Sequence, residues 1–404
     1  MRLRIAAWLA CVCTAAPMYA QTTSLSRRDA VQMALEHGPR VAVARADTAV
    51  ANATFIGSRA FPNPTLNASV SKSVPQYHFT LDVPLELPSV RNLRIRSAQV
   101  GLQAATLRFD LARATILLDA DTSYTRAIAA RDHLFLSRRN ALDADSLARM
   151  VERRRDAGDA SDMEVTLARI VAGQQANIAA EDSLTYSSAL FDLEFVLGMS
   201  NEILPTDSLT EPPAAVAPTV TLNEAAANLS LESATLASRF QHRSIFSTPS
   251  VNFGVEYKDP SQPGVLPLFG VGIPLPLFDR NRGGIAQADA EKVKAAAELT
   301  LARIESRNDI NRATRQRAAA MARVARNRAL VASANQVAAM ALTAYREGAS
   351  SLPNVLEAQR TAREVLASYI DDLASAWIAT AELRALSTPV PGSAGAQPSP
   401  GSPP

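Results

Sequence analysis

The chain is 404 residues long, with 47% hydrophobic, 20% charged and 5% aromatic residues and a net charge of +2. So even a balance provides neither the basic footprint of a nucleic-acid binder nor an acidic tail. Four histidines, scattered at positions 37, 78, 133 and 242, argue against a histidine metal centre and with it most metalloenzymes.

Residues 1–20 read as a secretory signal. Arg2 and Arg4 lead an apolar run from Ile5 to Cys13, and small residues precede Gln21. Cleavage after Ala20 or Ala16 removes both cysteines, Cys11 and Cys13, which excludes disulfide and thiol chemistry from the mature chain. The run is too short to span a bilayer, and no later stretch reaches ~18 apolar residues. The protein reads as exported, without a transmembrane helix.

From residue 21 the sequence is written twice, as repeats over 21–203 and 221–388. Pro84-Leu85-Glu86-Leu87 returns as Pro274-Leu275-Pro276-Leu277, and Ile95 and Ala98 return as Ile285 and Ala288. At the same spacing Gly158, Ser161, Val165 and Ala168 return as Gly348, Ser351, Val355 and Ala358. Pro64, Asn67 and Val70 match Pro249, Asn252 and Val255 at a shorter spacing, which places the extra residues of the second copy in a loop around Asp259 to Leu266.

Each repeat carries a hairpin signature, about 64–87 and about 249–277. Leu66, Ala68 and Val70 alternate with polar residues, as do Tyr77, Phe79, Leu81 and Val83. Val251, Phe253, Val255 and Tyr257 do the same in the second copy, followed by Phe269, Val271 and Ile273 with glycines between. Four strands result, each expected near the ~9–11 residues of a membrane β-strand. A soluble sandwich would alternate in the same way, so the neighbouring segments decide. Those are long helices, about 89–200 and 284–387, with no glycine between Gly284 and Gly348. Val324, Val331, Ala338 and Tyr345 recur every seven residues, as do Val355, Ala362, Tyr369, Ala376 and Leu383. Such a period requires coiled-coil packing. A Pro-rich connector, 204–220, joins the repeats, and 389–404 is a Pro/Ser/Gly/Ala tail expected to be disordered.

Four amphipathic strands cannot close a membrane barrel, because the smallest use about eight and open edges in lipid leave polar groups unsatisfied. Several chains must share one barrel, and three supply twelve strands. The expected fold is an α+β membrane protein: an internally duplicated chain with a long α-helical coiled-coil barrel and four strands of a trimeric transmembrane β-barrel. Catalysis finds no support. Asp119/Asp121 and Asp143/Asp145 read as solvated helix faces, and Gly270-Val271-Gly272 lacks the third glycine of a dinucleotide loop. Catalytic residues, metal ligands and cofactors are all expected to be absent.

The segment IPLPLFDRNRGGIAQADA (Ile273–Ala290) resembles the TolC family of outer-membrane efflux proteins, and its PLPLFDRN wording resembles the metal-efflux branch. FPNPTL (Phe61–Leu66) and YREGASSLPNVLEAQR (Tyr345–Arg360) support the likeness, which runs from about Leu25 to Leu386. The resemblance implies a homotrimer in outer-membrane lipid with its helical barrel in the periplasm. It implies partners too: a periplasmic adaptor (membrane fusion) protein and an inner-membrane pump such as a resistance–nodulation–division transporter. The chain would be a passive exit duct. A type I protein-secretion duct and a structural periplasmic coiled-coil protein stay open as alternatives, and the substrate is not legible.

The two helix–helix turns gain a role from the resemblance. From sequence alone they are tight capped turns, with Ser161 and Glu164 in a capping-box pattern and Ser351 placed to cap before Pro353. In the family such turns form the tip that docks the adaptor, which implicates Gly158, Ser161, Tyr345, Gly348, Ser351 and Leu352. The family's best-known member has two gate acids after its second turn, matched here by Asn354 and Glu357, so one acid is kept. Its latching arginine is matched by Ser350. Glu164, equivalent to Asn354 in the first repeat, is the candidate for the missing carboxylate.

Overall fold

The computed structural model describes residues 23–199, 203–245, 249–262 and 264–390; the predicted leader and all but the first two residues of the predicted tail lie outside them. In chain order the elements are β1 (Thr23–Leu25), α1 (Arg27–His37), α2 (Pro39–Arg59), β2 (Thr65–Val70), β3 (Tyr77–Pro84), α3 (Pro88–Asp156) and α4 (Asp162–Leu197). The second half holds β4 (Ile203–Pro205), α5 (Leu222–Arg243), β5 (Ser250–Tyr257), β6 (Val265–Gly272), α6 (Arg282–Arg346) and α7 (Leu352–Leu386).

Strands β2, β3, β5 and β6 form one antiparallel sheet in that order, so the hairpins of the two repeats are zipped together between β3 and β5. Residues paired across a ladder share a face of the sheet. The rows Leu66–Leu81–Phe253–Phe269, Ala68–Phe79–Val255–Pro267 and Val70–Tyr77–Tyr257–Val265 make one face apolar across all four strands. Phe253 and Phe269 meet edge to face with centroids 5.9 Å apart. The opposite face carries Asn67, Ser69, His78, Thr80, Asp82, Asn252 and Glu256, with Leu266 and Leu268 as apolar exceptions on β6.

Two expectations need correction. The strands are shorter than foreseen, 6 residues in β2 and 8 in each of the others. Pro64 precedes β2, Pro84 ends β3, and Pro274 and Pro276 follow β6, where a proline has no N–H to continue a ladder. Nor do the extra residues of the second copy build a long loop. The connection from β5 to β6 is only one residue longer than that from β2 to β3, and the rest extend the second hairpin. Pairing them satisfies backbone groups that a loop would have left open.

Helices α3 and α6 have 69 and 65 residues, each roughly 100 Å long at about 1.5 Å per residue. Beside their sheet-proximal halves lie α2 and α5. Arg91 Nη2 donates to Arg59 O at 2.8 Å, and Ser97 and Ser233 exchange hydrogen bonds of 3.0 and 2.9 Å with each other's carbonyls. Beside their distal halves lie α4 and α7, held by Arg169 to Glu152 at 2.7 Å and Arg323 to Asp372 at 2.5 Å. The seven-residue stripe is the packed one. Val324, Tyr345, Val355, Ala362, Ala376 and Leu383 are buried, while Val331, Ala338 and Tyr369 are half-buried. Alanines such as Ala320 and Ala376 let the axes approach closely.

Midway along α3 the molecule has a waist. There α1, the end of α4 and the parallel pair β1–β4 pack on Ile116, Ala120, Tyr124 and Ile128. Tyr124 is fully buried, and its hydroxyl lies 2.8 Å from both Leu25 O and Asp207 Oδ2. Burial first, then the Asp207 carboxylate, pushes its pKa up to about 12. Arg27 pairs with Asp121, donates to Thr125 Oγ1 at 2.8 Å and lies 3.9 Å from the Trp377 ring centroid. Asp121 was expected on a solvated face and is instead only 8% exposed, because Arg27 compensates its charge. The Pro-rich connector then crosses the helices as a strap. Trp377 Nε1 donates to Thr210 O, Arg317 Nη2 to Pro213 O and Ser387 Oγ to Val216 O.

Candidate functional site

The two helix–helix turns sit side by side at the end of the molecule opposite the sheet. Each closes by the same hydrogen bonds. Asp159 N–H reaches Arg154 O at 2.7 Å and Gly158 N–H reaches Arg155 O at 2.8 Å. At the second turn Ala349 N–H reaches Ala344 O at 2.8 Å and Gly348 N–H reaches Tyr345 O at 3.1 Å. This Schellman pattern puts the residue after the C-cap in the left-handed region, where Gly158 has φ +86° and Gly348 φ +78°.

The following helices start differently. Ser161 caps α4 through a complete capping box: its Oγ accepts from Glu164 N–H at 3.2 Å, and Glu164 Oε2 accepts from Ser161 N–H at 2.9 Å. Ser351 has the extended backbone of an N-cap but no capping side-chain hydrogen bond. The repeat places Asn354 where the first copy has Glu164, and the shorter amide turns back to Ser350 Oγ at 3.4 Å.

One apolar cluster binds the two turns. Val151 and Val165 of the first hairpin pack with Tyr345, Leu352 and Val355 of the second. Arg154 Nη1 donates to Tyr345 O at 2.5 Å, and its guanidinium lies 4.7 Å from the Tyr345 ring centroid. Burial, and then the nearby Glu164 carboxylate, raise the pKa of the Tyr345 phenol. Leu352 and Tyr345 therefore hold the turns together, while Gly158, Ser161, Gly348 and Ser351 present the outer surface.

The three candidate gate residues are not gathered in one protomer. Glu164 is committed to its capping box, and Asn354 is exposed. Glu357 is 67% exposed, 4.0 Å from Arg360, on a groove of about 610 Å³ between α4 and α7.

Each of the three histidines whose side chains are described lies beside a carboxylate. His78 Nδ1 is 3.1 Å from Glu256 Oε1, His133 Nε2 is 2.8 Å from Asp371 Oδ1 and His242 Nε2 is 3.1 Å from Asp289 Oδ2. Two of these pairs join the first repeat to the second. Asp289 also accepts from Ser238 Oγ at 2.6 Å, and that bond, followed by His242, lowers its pKa.

The sequence matches the outer membrane efflux protein family over residues 30–199 and 222–387. It is 26% identical over 330 residues to the cobalt-zinc-cadmium resistance protein CzcC of Cupriavidus metallidurans, covering 78% of each chain. A membrane protein from Pseudomonas aeruginosa has the same fold, with a TM-score of 0.77 at 20% identity over 89% of this chain and 93% of that one. The outer membrane protein VceC from Vibrio cholerae gives 0.73 at 16% identity, over 89% and 96%.

At Gly348 a β-carbon would meet no atom within 4 Å, so backbone strain alone penalises substitution there. Gly348→Val is expected to weaken the second turn by about 1–3 kcal/mol, seen as faster amide exchange at Ala349 with the rest of α6 unchanged. Exchange at the wild-type rate contradicts the strained-turn assignment.

Proposed function

The chain belongs to the outer membrane efflux protein family, and from that membership we propose that three copies close one passive exit duct. Membership places it in the outer membrane, with the helices in the periplasm. The observation that carries the trimer is the sheet. Its edge strands β2 and β6 run in opposite directions and, among the described residues, have no partner beyond them, while the face they share is apolar throughout. A second copy can therefore add its β2 antiparallel to β6, and three copies return to the start with twelve strands. Lipid covers the apolar face; the polar face lines the lumen.

The helices support the same ring. Met163, Ile170, Leu184 and Phe191 on α4 are spaced by multiples of seven and are exposed; so are Leu330 and Val337 on α6, seven apart, with the exposed Met340 three residues further on. Within a protomer α4 lies beside α3 and α6 beside α7, which leaves these two stripes on opposite flanks. A neighbour's α6 covers α4, and the seam repeats around the ring.

The turns at Gly158–Ser161 and Gly348–Ser351 form the periplasmic tip that docks an adaptor protein, which links the duct to an inner-membrane pump of the resistance–nodulation–division type. The similarity to CzcC supports divalent transition-metal cations as cargo. Glu357, present three times around the axis, is the gate carboxylate beside Asn354; Glu164 serves chiefly to cap α4.

Three measurements test this reading. Arg at Phe79 or Val271 is expected to cost about 2–4 kcal/mol near the bilayer midplane, lowering the temperature at which the trimer dissociates. Arg at Ser69 or Asn252 should be tolerated, and equal losses from both pairs contradict the lumen and lipid faces. Gly348→Val should assemble normally but lose cross-linking to the adaptor; undiminished cross-linking removes the docking role. In planar bilayers Glu357→Gln should lower cation selectivity, with little further change on adding Glu164→Gln. Unchanged selectivity in the double variant leaves Glu164 as a cap of α4, favoured there by the helix dipole, and Glu357 as an ordinary exposed acid of α7.

A further inference from the structure

We propose that His78, oriented by Glu256, is a weak and exchangeable contact for divalent transition-metal cations on the inner wall of the barrel. The inference rests on the proposed duct and on the assignment of the polar sheet face to the lumen.

His78 and Glu256 are direct cross-strand partners on that face, in the row Ser69–His78–Glu256–Leu266. The next row inward holds Thr80 and Gly254, whose side chains are short or absent. The imidazole and the carboxylate stay 30% and 27% exposed. With Glu256 Oε1 accepting from Nδ1–H at 3.1 Å, the neutral ring carries its lone pair on Nε2. A carboxylate holding one imidazole nitrogen while the other meets a metal is the usual outer arrangement of histidine metal ligands. The pair also lies next to the β2–β3 connection, at the end of the sheet remote from the helices and hence at the external mouth.

The site is built for contact and not for retention. Among the described residues no group of three or more His, Cys, Asp or Glu could hold a metal ion. Each protomer offers one imidazole, so a ring of three stations lines the mouth. A conduction path needs sites that attract an ion weakly enough to release it. Zinc, cobalt and cadmium accept imidazole nitrogen, whereas magnesium prefers oxygen ligands. That difference separates ligation from a merely negative wall.

The test is conductance of the full-length trimer in a planar bilayer, with Zn²⁺ or Mg²⁺ added on the side of the β2–β3 loops. Zn²⁺ should reduce the current where equal Mg²⁺ does not. His78→Asn should raise the half-blocking Zn²⁺ concentration at least tenfold, and Glu256→Gln about tenfold through loss of the orienting carboxylate. His133→Asn and His242→Asn should match the wild type. Normal conductance without zinc shows that each variant has assembled. Absence of zinc block, equal block by Mg²⁺, or unaltered block in His78→Asn each overturns the proposal. Zinc, cobalt and cadmium tolerance of cells lacking the chain tests the cargo separately. Unchanged tolerance beside His78-dependent block removes the cargo reading and leaves the site.

Discussion

An unpaired backbone group in lipid has no water to turn to. Each costs several kcal/mol, and an eight-residue edge strand such as β6 directs the N–H and C=O groups of about half its residues outward. The total for two open edges reaches tens of kcal/mol, more than side-chain packing in a four-stranded sheet can offset. Closure is therefore the first demand on this chain, and one copy cannot meet it. The proposed trimer and its lumen answer that demand, and the exposed stripes on α4 and α6 fit the same ring. In that ring, helices roughly 100 Å long extend the opening of the barrel into a tube.

The waist answers a second demand. Two repeats that meet only through β3–β5 at one end and the paired turns at the other would leave long helices free to slide. Near Tyr124, α1, the middle of α3, the connector and α7 are tied by a few polar pairs: Arg27 with Asp121 and Tyr124 with Asp207, both largely buried, and Trp377 with Thr210 nearer the surface. Breaking one member of such a set leaves a buried charge or donor without compensation. The connector's prolines disfavour helix, and its carbonyls at Thr210, Pro213 and Val216 are held by α6, α7 and the residue after α7. It is part of the fold.

Much of the architecture was legible because the chain is duplicated. One spacing related the hairpin exits, the helix starts and both turn glycines, a shorter one related the first strands, and the switch from period two to period seven separated strand from helix. Gly158 and Gly348 were found because a Schellman turn demands a left-handed residue at a fixed place. The short helices α1, α2 and α5 were missed, although Ser26 before Asp29, Thr221 before Glu224 and Pro39 at a helix start carried their signals. Pairings between distant residues left no trace in sequence. His78 and Glu256 are 178 positions apart, and His133 and Asp371 are 238 apart. At the second turn an asparagine stands where the first repeat has Glu164, so the reciprocal bond of a capping box cannot form as it does there.

The central claim is that β6 of one protomer pairs with β2 of the next and that three such seams close the sheet. Both native cysteines lie in the predicted leader, so single cysteines placed along β2 and along β6 can be oxidised in outer membranes without competing thiols. Separated by denaturing electrophoresis without reductant, the best-aligned pairs should give covalent dimers and trimers and nothing larger. A ladder that runs past three, or no cross-link at any combination of β2 and β6 positions, would contradict the closed three-chain barrel.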